Sequence, residues 1–293
     1  MREWKAIVVG AAKDAKRDNL TDVAATLAYY GFLAIPAVLL VVVGVFSRTA
    51  GTDTIESLVG RLEGVVPEEA LTLIQDSLTR ATENRSGGLV LIVVGLLLAL
   101  WTATGAMNAL MRGLNRVFGV EETRGLVRQK LTGLGMLLCV LLGLALTVGL
   151  LVLGPLLADK LGKALDMEDA FGWIWWSAQW PILLAGLLVA FGGVLYLGPN
   201  VELRRWRLFT PGALIAVAVW LVASGLFAFY ASQFSSYNKA WGSLAAVVIM
   251  LTWLWLSALA LLFGAEINAE AERRRDVERG EPAETRVEAP ARA

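Results

Sequence analysis

Six long runs without a charged residue dominate the chain, and the short stretches between them hold nearly all of its charge. The runs lie between Asp22 and Arg48, Arg85 and Arg112, Lys130 and Asp159, Asp169 and Glu202, Arg207 and Lys239, and Lys239 and Glu266. A helix rises about 1.5 Å per residue and the hydrocarbon core of a bilayer is about 30 Å thick, so about 20 apolar residues suffice to cross it. Every run is long enough, and none alternates apolar with polar positions as a membrane β-barrel strand does. The pattern predicts an all-α polytopic membrane protein with six transmembrane helices, near 24–46, 88–110, 131–153, 178–198, 210–231 and 243–265. These make residues 1–270 a six-helix transmembrane domain, and the charged, Pro- and Ala-rich residues 271–293 a disordered cytoplasmic tail that begins as a helical extension. In the first outer loop, 48–87, Ile55, Leu58, Val59 and Leu62 recur at helical spacing, as do Leu71, Ile74 and Leu78 after Pro67. That spacing predicts short amphipathic helices capping the bundle or resting on the headgroups.

The flanking charge orients these spans. Lys and Arg are retained on the cytoplasmic side. Five lie in the N-terminal segment, five in 112–130, three in 199–209 and six in the tail, which is 19 of the chain's 26. The alternate loops hold the remaining 7. Every loop falls on the side that an even number of crossings demands, with both ends in the cytoplasm of a bacterial cell and the spans in its inner membrane. The first span follows four lysines and arginines in the manner of a signal peptide, but it is too long for an h-region and five more spans follow it. It reads as an uncleaved first helix. Trp173, Trp175, Trp176 and Trp180 mark the outer interface of the fourth span.

Composition narrows the chemistry. The chain is 57% hydrophobic with a mean hydropathy of +0.62 and balanced charge, which removes any global attraction to nucleic acid. It has no histidine, and its single cysteine, Cys139, lies within an apolar run. No metal site, cofactor or His-dependent catalysis is expected. No span carries an ionisable residue in its central part, which disfavours a proton relay unless Glu266, at the inner end of the last span, serves. The alternative for Glu266 is plain exposure at the interface.

Several polar and small residues are candidates for a substrate path. Tyr29, Tyr30 and Pro36 sit in the first span, where a proline frees a backbone carbonyl and favours a kink. Asn108 and Arg112 are one turn apart on the second span, and Asn115 and Arg116 continue toward the following loop. Gly105, Ala109 and Gly113 make a small-residue stripe suited to close helix packing, or to a homo-oligomer. Tyr230, Phe234, Ser236, Tyr237 and Gly242 belong to the aromatic hairpin joining the last two spans, either as an interface girdle or as the gate of a lipid-facing groove.

The segments LAYYGFLAIP (27–36), LWTATGAMNALMRGLNRVFGVEETRG (100–125), YLGPNVELRRWRLFTPGALIA (196–216) and FAFYASQFSSYNKAWGSLAAVVIMLTWLWLSALALLFGAEINAE (227–270) resemble, in order, the YihY/BrkB family of bacterial inner-membrane proteins. The most specific parts are Phe227, Tyr230, Phe234, Ser236, Tyr237, Gly242, Leu244 and Ala245, and the closing Gly264-Ala265-Glu266-Ile267-Asn268. Gly31 and Trp241 depart from the family's usual Ser or Thr and Tyr. The resemblance implies a six-helix membrane protein linked with virulence, envelope integrity and movement of envelope lipids. Some members also carry an older label as a tRNA-processing ribonuclease. Phosphodiester hydrolysis calls for a metal-binding or acid/base cluster and a basic surface, and the residues here supply neither. The expected function is that of a transporter or permease-like protein for an amphipathic envelope lipid, with the lipid bilayer as partner, no nucleic acid and no enzymatic activity. A structural scaffold in envelope integrity is the alternative, and a membrane-bound ribonuclease comes third.

Overall fold

The computed structural model describes residues 2–49, 88–150, 154, 160, 168–201, 210–233 and 238–278. Among these the ordered elements are seven helices and no strand: α1 (Arg2–Arg17), α2 (Leu20–Thr49), α3 (Gly88–Phe118), α4 (Leu126–Val148), α5 (Glu168–Leu197), α6 (Pro211–Gln233) and α7 (Asn238–Glu278). Helices α2 to α7 are each long and apolar enough to cross a membrane, so the chain has the six spans that its hydropathy predicts, in the predicted order. The amphipathic helices expected in 48–87 fall outside the described residues.

The helices overrun their predicted limits for identifiable reasons. α3 extends to Phe118, so Asn115 and Arg116 lie in the helix and not in the loop after it. It ends where Gly119 takes a φ of 66°. The Gly119 N–H donates to the Arg116 carbonyl (3.0 Å) and the Val120 N–H to the Asn115 carbonyl (2.9 Å), the paired closure that a left-handed glycine permits. α4 starts five residues before its predicted limit, its exposed first turns carrying Arg128 and Lys130, whose long side chains suit a position beside the headgroups. α7 continues to Glu278 on strong helix formers, Ala, Glu and Arg.

The chain forms two compact units. Residues Tyr29–Ala106 hold the second part of α2 and the first part of α3. They meet at glycines: a Cβ on Gly95 would lie 2.9 Å from the Val41 backbone nitrogen and 3.0 Å from the Ala37 carbonyl oxygen, and the Tyr30 ring covers Gly105. α2 passes Pro36 without interruption. Tyr30 stands edge-on to Tyr29 (5.7 Å between centroids) and to Trp101 (6.2 Å).

The other unit comprises Met1–Ala28 and Met107–Ala293. In it α6 packs along α7, α4 along α5, and α1 against α7. The α6–α7 seam is cross-braced. The Trp220 indole N–H donates to the Ser257 hydroxyl (2.9 Å), the Trp253 N–H donates to the Ser224 hydroxyl (3.3 Å), and the two rings lie 6.2 Å apart. Each helix thus gives the other one tryptophan and one serine, and both of these indole N–H groups are paired within an apolar layer.

Candidate functional site

Polar chemistry in the larger unit gathers where α3 ends, α5 ends, α6 begins and α7 leaves its apolar stretch. Three clusters form there, each built on sequence-local signals and completed by distant partners.

The first joins the α3–α4 loop to the end of α5. The Arg124 side chain is 1% exposed. Its guanidinium donates to the carbonyls of Leu197 (3.3 Å) and Gly198 (2.9 Å), which lack helical partners at the C-terminus of α5. Glu122 accepts from Arg124 Nε and Nη2, both at 2.6 Å, and from the Asn115 amide (3.0 Å). The Asn115 side-chain oxygen in turn accepts the Asn200 N–H (2.7 Å). Asn200, fully buried, donates to the Glu121 carbonyl and the Thr123 hydroxyl, both at 2.9 Å. Burial by itself pushes the Glu122 carboxyl pKa up, but the hydrogen bonds from Arg124 and Asn115 and the Arg124 charge outweigh it and hold the pKa below its ordinary value.

The second fastens α6 to α7. Thr210 caps α6, its hydroxyl accepting the Ala213 N–H (3.1 Å), with Pro211 in the first turn, where its missing N–H is no loss. The next N–H, of Gly212, donates to the Asn268 side-chain oxygen (2.8 Å), while the Asn268 amide donates to the Thr210 hydroxyl (3.0 Å). Asn268 can reach because Gly264 lets the helices touch. A Cβ there would stand 2.6 Å from both Ala216 Cβ and the Gly212 carbonyl oxygen.

The third pins α1 to α7. Arg273 pairs with Asp14 (2.8 Å) and Glu270 (2.5 Å), and Arg274 with Glu270 (2.8 Å). Glu270 lies under Gly10, where a Cβ would meet its carboxylate at 2.8 Å. Glu266, one turn earlier, is 0% exposed and within electrostatic reach of Arg273. Plain exposure of Glu266 at the interface is therefore excluded.

The residues singled out by sequence are spread across the molecule. Asn115 is buried in the first cluster and Glu266 beside the third, whereas Asn108 is half-buried and Arg112 exposed. Among the described residues Arg112 has no hydrogen-bond or ion-pair partner. Tyr29, Tyr30 and Pro36 belong to the smaller unit, with Tyr29 and Pro36 exposed. Tyr230 is exposed on α6 beside Phe227, and Gly242 lies on α7. Phe234, Ser236 and Tyr237 fall outside the described residues. The small-residue stripe is used inside the chain: Gly113 faces Val23 and Leu262, and Ala109 is buried. Sequence reasoning singled out none of Glu122, Arg124, Asn200 and Thr210 as a site residue, and read Asn268 only as the close of a family signature. Thr210-Pro211-Gly212 carries a cap signal of its own, but the others are recognisable only through partners far along the chain. Among the described residues no three acidic, Cys or His side chains converge as a metal site.

Comparison with known proteins gives a consistent picture. The family model for virulence factor BrkB matches residues 11–289. A ribonuclease-like protein of Bacillus subtilis (strain 168), YfkH, is 32% identical over 224 residues, covering 75% of this chain and 79% of YfkH. UPF0761 membrane proteins of Azoarcus sp. (strain BH72) and Aromatoleum aromaticum are 29% and 28% identical. Each alignment covers 85% of this chain and 59% of the relative, so the chain spans about three fifths of those two proteins. No solved structure matches it.

Proposed function

The chain belongs to the virulence factor BrkB family, and on that premise we propose that it is a permease-like transporter for an amphipathic envelope component with an anionic headgroup, working in the inner membrane. The observation that carries this reading is Arg112. Counted from Gly88, about 20 residues of α3 cross the hydrocarbon, which puts Asn108 at its edge and Arg112 one turn beyond. An exposed guanidinium without a partner among the described residues, at the mouth of an apolar helix and with an amide one turn deeper, is suited to receive a phosphate or carboxylate. Positive flanking charge supports a cytoplasmic position for this end, and in this reading the headgroup enters there while its tails stay in the lipid. In this reading the sequence-predicted aromatic hairpin, with Tyr230 at the end of α6 and Gly242 near the start of α7, would serve the other end of the path.

Complementation of an envelope-stress phenotype, scored together with membrane abundance, tests the proposal. Arg112→Ala is expected to lower activity about tenfold or more with normal abundance, and Arg112→Lys to keep part of it, since the charge survives without the bidentate fork. Full complementation by a normally abundant Arg112→Ala protein would sink the idea.

A scaffolding role draws on a different observation: the polar groups of the three clusters are largely committed to one another, making a rigid platform at one end of the bundle. It predicts indifference to Arg112 and sensitivity to Arg124. The ribonuclease-like name belongs to YfkH. Without a histidine this chain has no imidazole for acid/base cleavage of a phosphodiester.

A further inference from the structure

The N-terminal helix α1 has two faces, and α7 accounts for only one. Gly10 and Asp14 turn toward α7, where Glu270 and Arg273 receive them, and Ala11 is fully buried. On the far side two ridges run along the helix at four-residue spacing. One carries Trp4, Val8, Ala12 and Lys16, and the other Lys5, Val9, Lys13 and Arg17, all of them exposed. Trp4 is 50% exposed and Val9 49%. None of the four cations has a hydrogen-bond or ion-pair partner to its side chain among the described residues. Of the two acids in α1, Glu3 and Asp14, Asp14 is paired with Arg273 on the opposite face.

We propose that this face of α1 lies in the membrane interface and binds the anionic phospholipid headgroups of the leaflet from which α2 enters. Position and chemistry both support it. α1 ends at Arg17, Asn19 turns the chain at a φ of 51°, and α2 starts its span at Leu20, so the last turn of α1 is within a few residues of the bilayer surface. Tryptophan and valine favour the headgroup–acyl boundary, and lysine and arginine stems lie along apolar surface with their charges among the phosphates. Four cations on one face, unpaired among the described residues, give charge complementarity that a neutral lipid surface or an apolar protein partner would not match.

The test uses the whole chain in nanodiscs. A spin label at Val8→Cys, and separately at Ala12→Cys, is placed in a Cys139→Ala background, and its accessibility to oxygen and to a water-soluble nickel chelate is read by power saturation. In phosphatidylglycerol-containing discs the oxygen-to-nickel ratio should exceed that in phosphatidylcholine discs by about twofold or more, and high salt should abolish the difference, because each surface cation strengthens binding to an anionic leaflet about fivefold and salt screens that attraction. Equal water exposure in both lipids overturns the proposal. So does equal immersion in both at any salt, which would mean apolar partition without headgroup recognition. Shielding from both reagents would put a protein segment over the face, either the chain's own tail or a second copy, and overturns it as well.

Discussion

At the level of single residues, the Arg124 guanidinium is the most exacting group in the fold, because it is a charge almost completely removed from water. Its compensation is Glu122 and two helix-end carbonyls. Losing one member of such a pair leaves the other charge buried without its partner, which costs more than the pair itself contributes. Glu122→Gln keeps the shape and one acceptor oxygen but removes the charge. Since Glu122 is 22% exposed and partly screened by water, a loss of about 2 kcal/mol is expected, seen as a lower melting midpoint in detergent. The pH dependence follows from the lowered carboxyl pKa of Glu122 in the folded protein. A group with a depressed folded pKa contributes stability that is present in full above its unfolded pKa and is lost as pH falls through the folded one. The wild-type melt should therefore drop below about pH 4, with Glu122→Gln showing a flatter profile in that window. An unchanged slope in the variant would mean that other carboxylates govern the acid limb.

The helices show how a strand of local signals becomes a specific packing. Gly264→Val should be among the most damaging single changes to the α6–α7 pair. Its Cβ would press on the Gly212 backbone, which cannot move aside as a side chain can. Asn268→Ala removes the acceptor of the Gly212 N–H and should cost about 1 kcal/mol, with the helices still paired. Thermal stability of the two proteins in detergent separates them: loss of accumulation for the first, a modest shift for the second. The GAEIN segment was recognised in the sequence as a family signature, but its physical meaning was not, because Asn268 and Gly212 are 56 residues apart. Helix limits suffered similarly. Hydropathy registers the apolar stretch, and Gly119 and Thr210-Pro211 mark local ends, yet the charged turns of α3, α4 and α7 read as flanks although they are helical. α1 went unread for the same reason. Its lysines counted only as topogenic charge, and the four-residue ridges of Trp4–Val8 and Lys5–Val9 were the signal available.

For the whole molecule, the number and order of spans were legible because lipid leaves few choices: each backbone N–H and C=O must be paired within its own helix, so length and apolarity settle the architecture. A path was not legible, since it depends on which helix faces meet. Orientation rests on charge and carries the remaining prediction. The loops expected inside share 19 basic residues against 7 on the other side. Two of the inner groups are also tied to each other in the fold, because Arg116 in the α3 end donates to the Asp18 carbonyl at the α1–α2 turn (3.2 Å). That bond requires the α1–α2 turn and the end of α3 to lie on one side of the membrane, as an even number of crossings between them demands. Reporter fusions after Arg124, Arg205 and Arg275 should accordingly report the cytoplasm, and fusions near Gly64, Lys163 and Lys239 the outside. A single reversed site would break the six-span topology, and reversal of all six would keep the fold but turn it over, moving Arg112 to the outer mouth and with it the side from which an anionic headgroup enters.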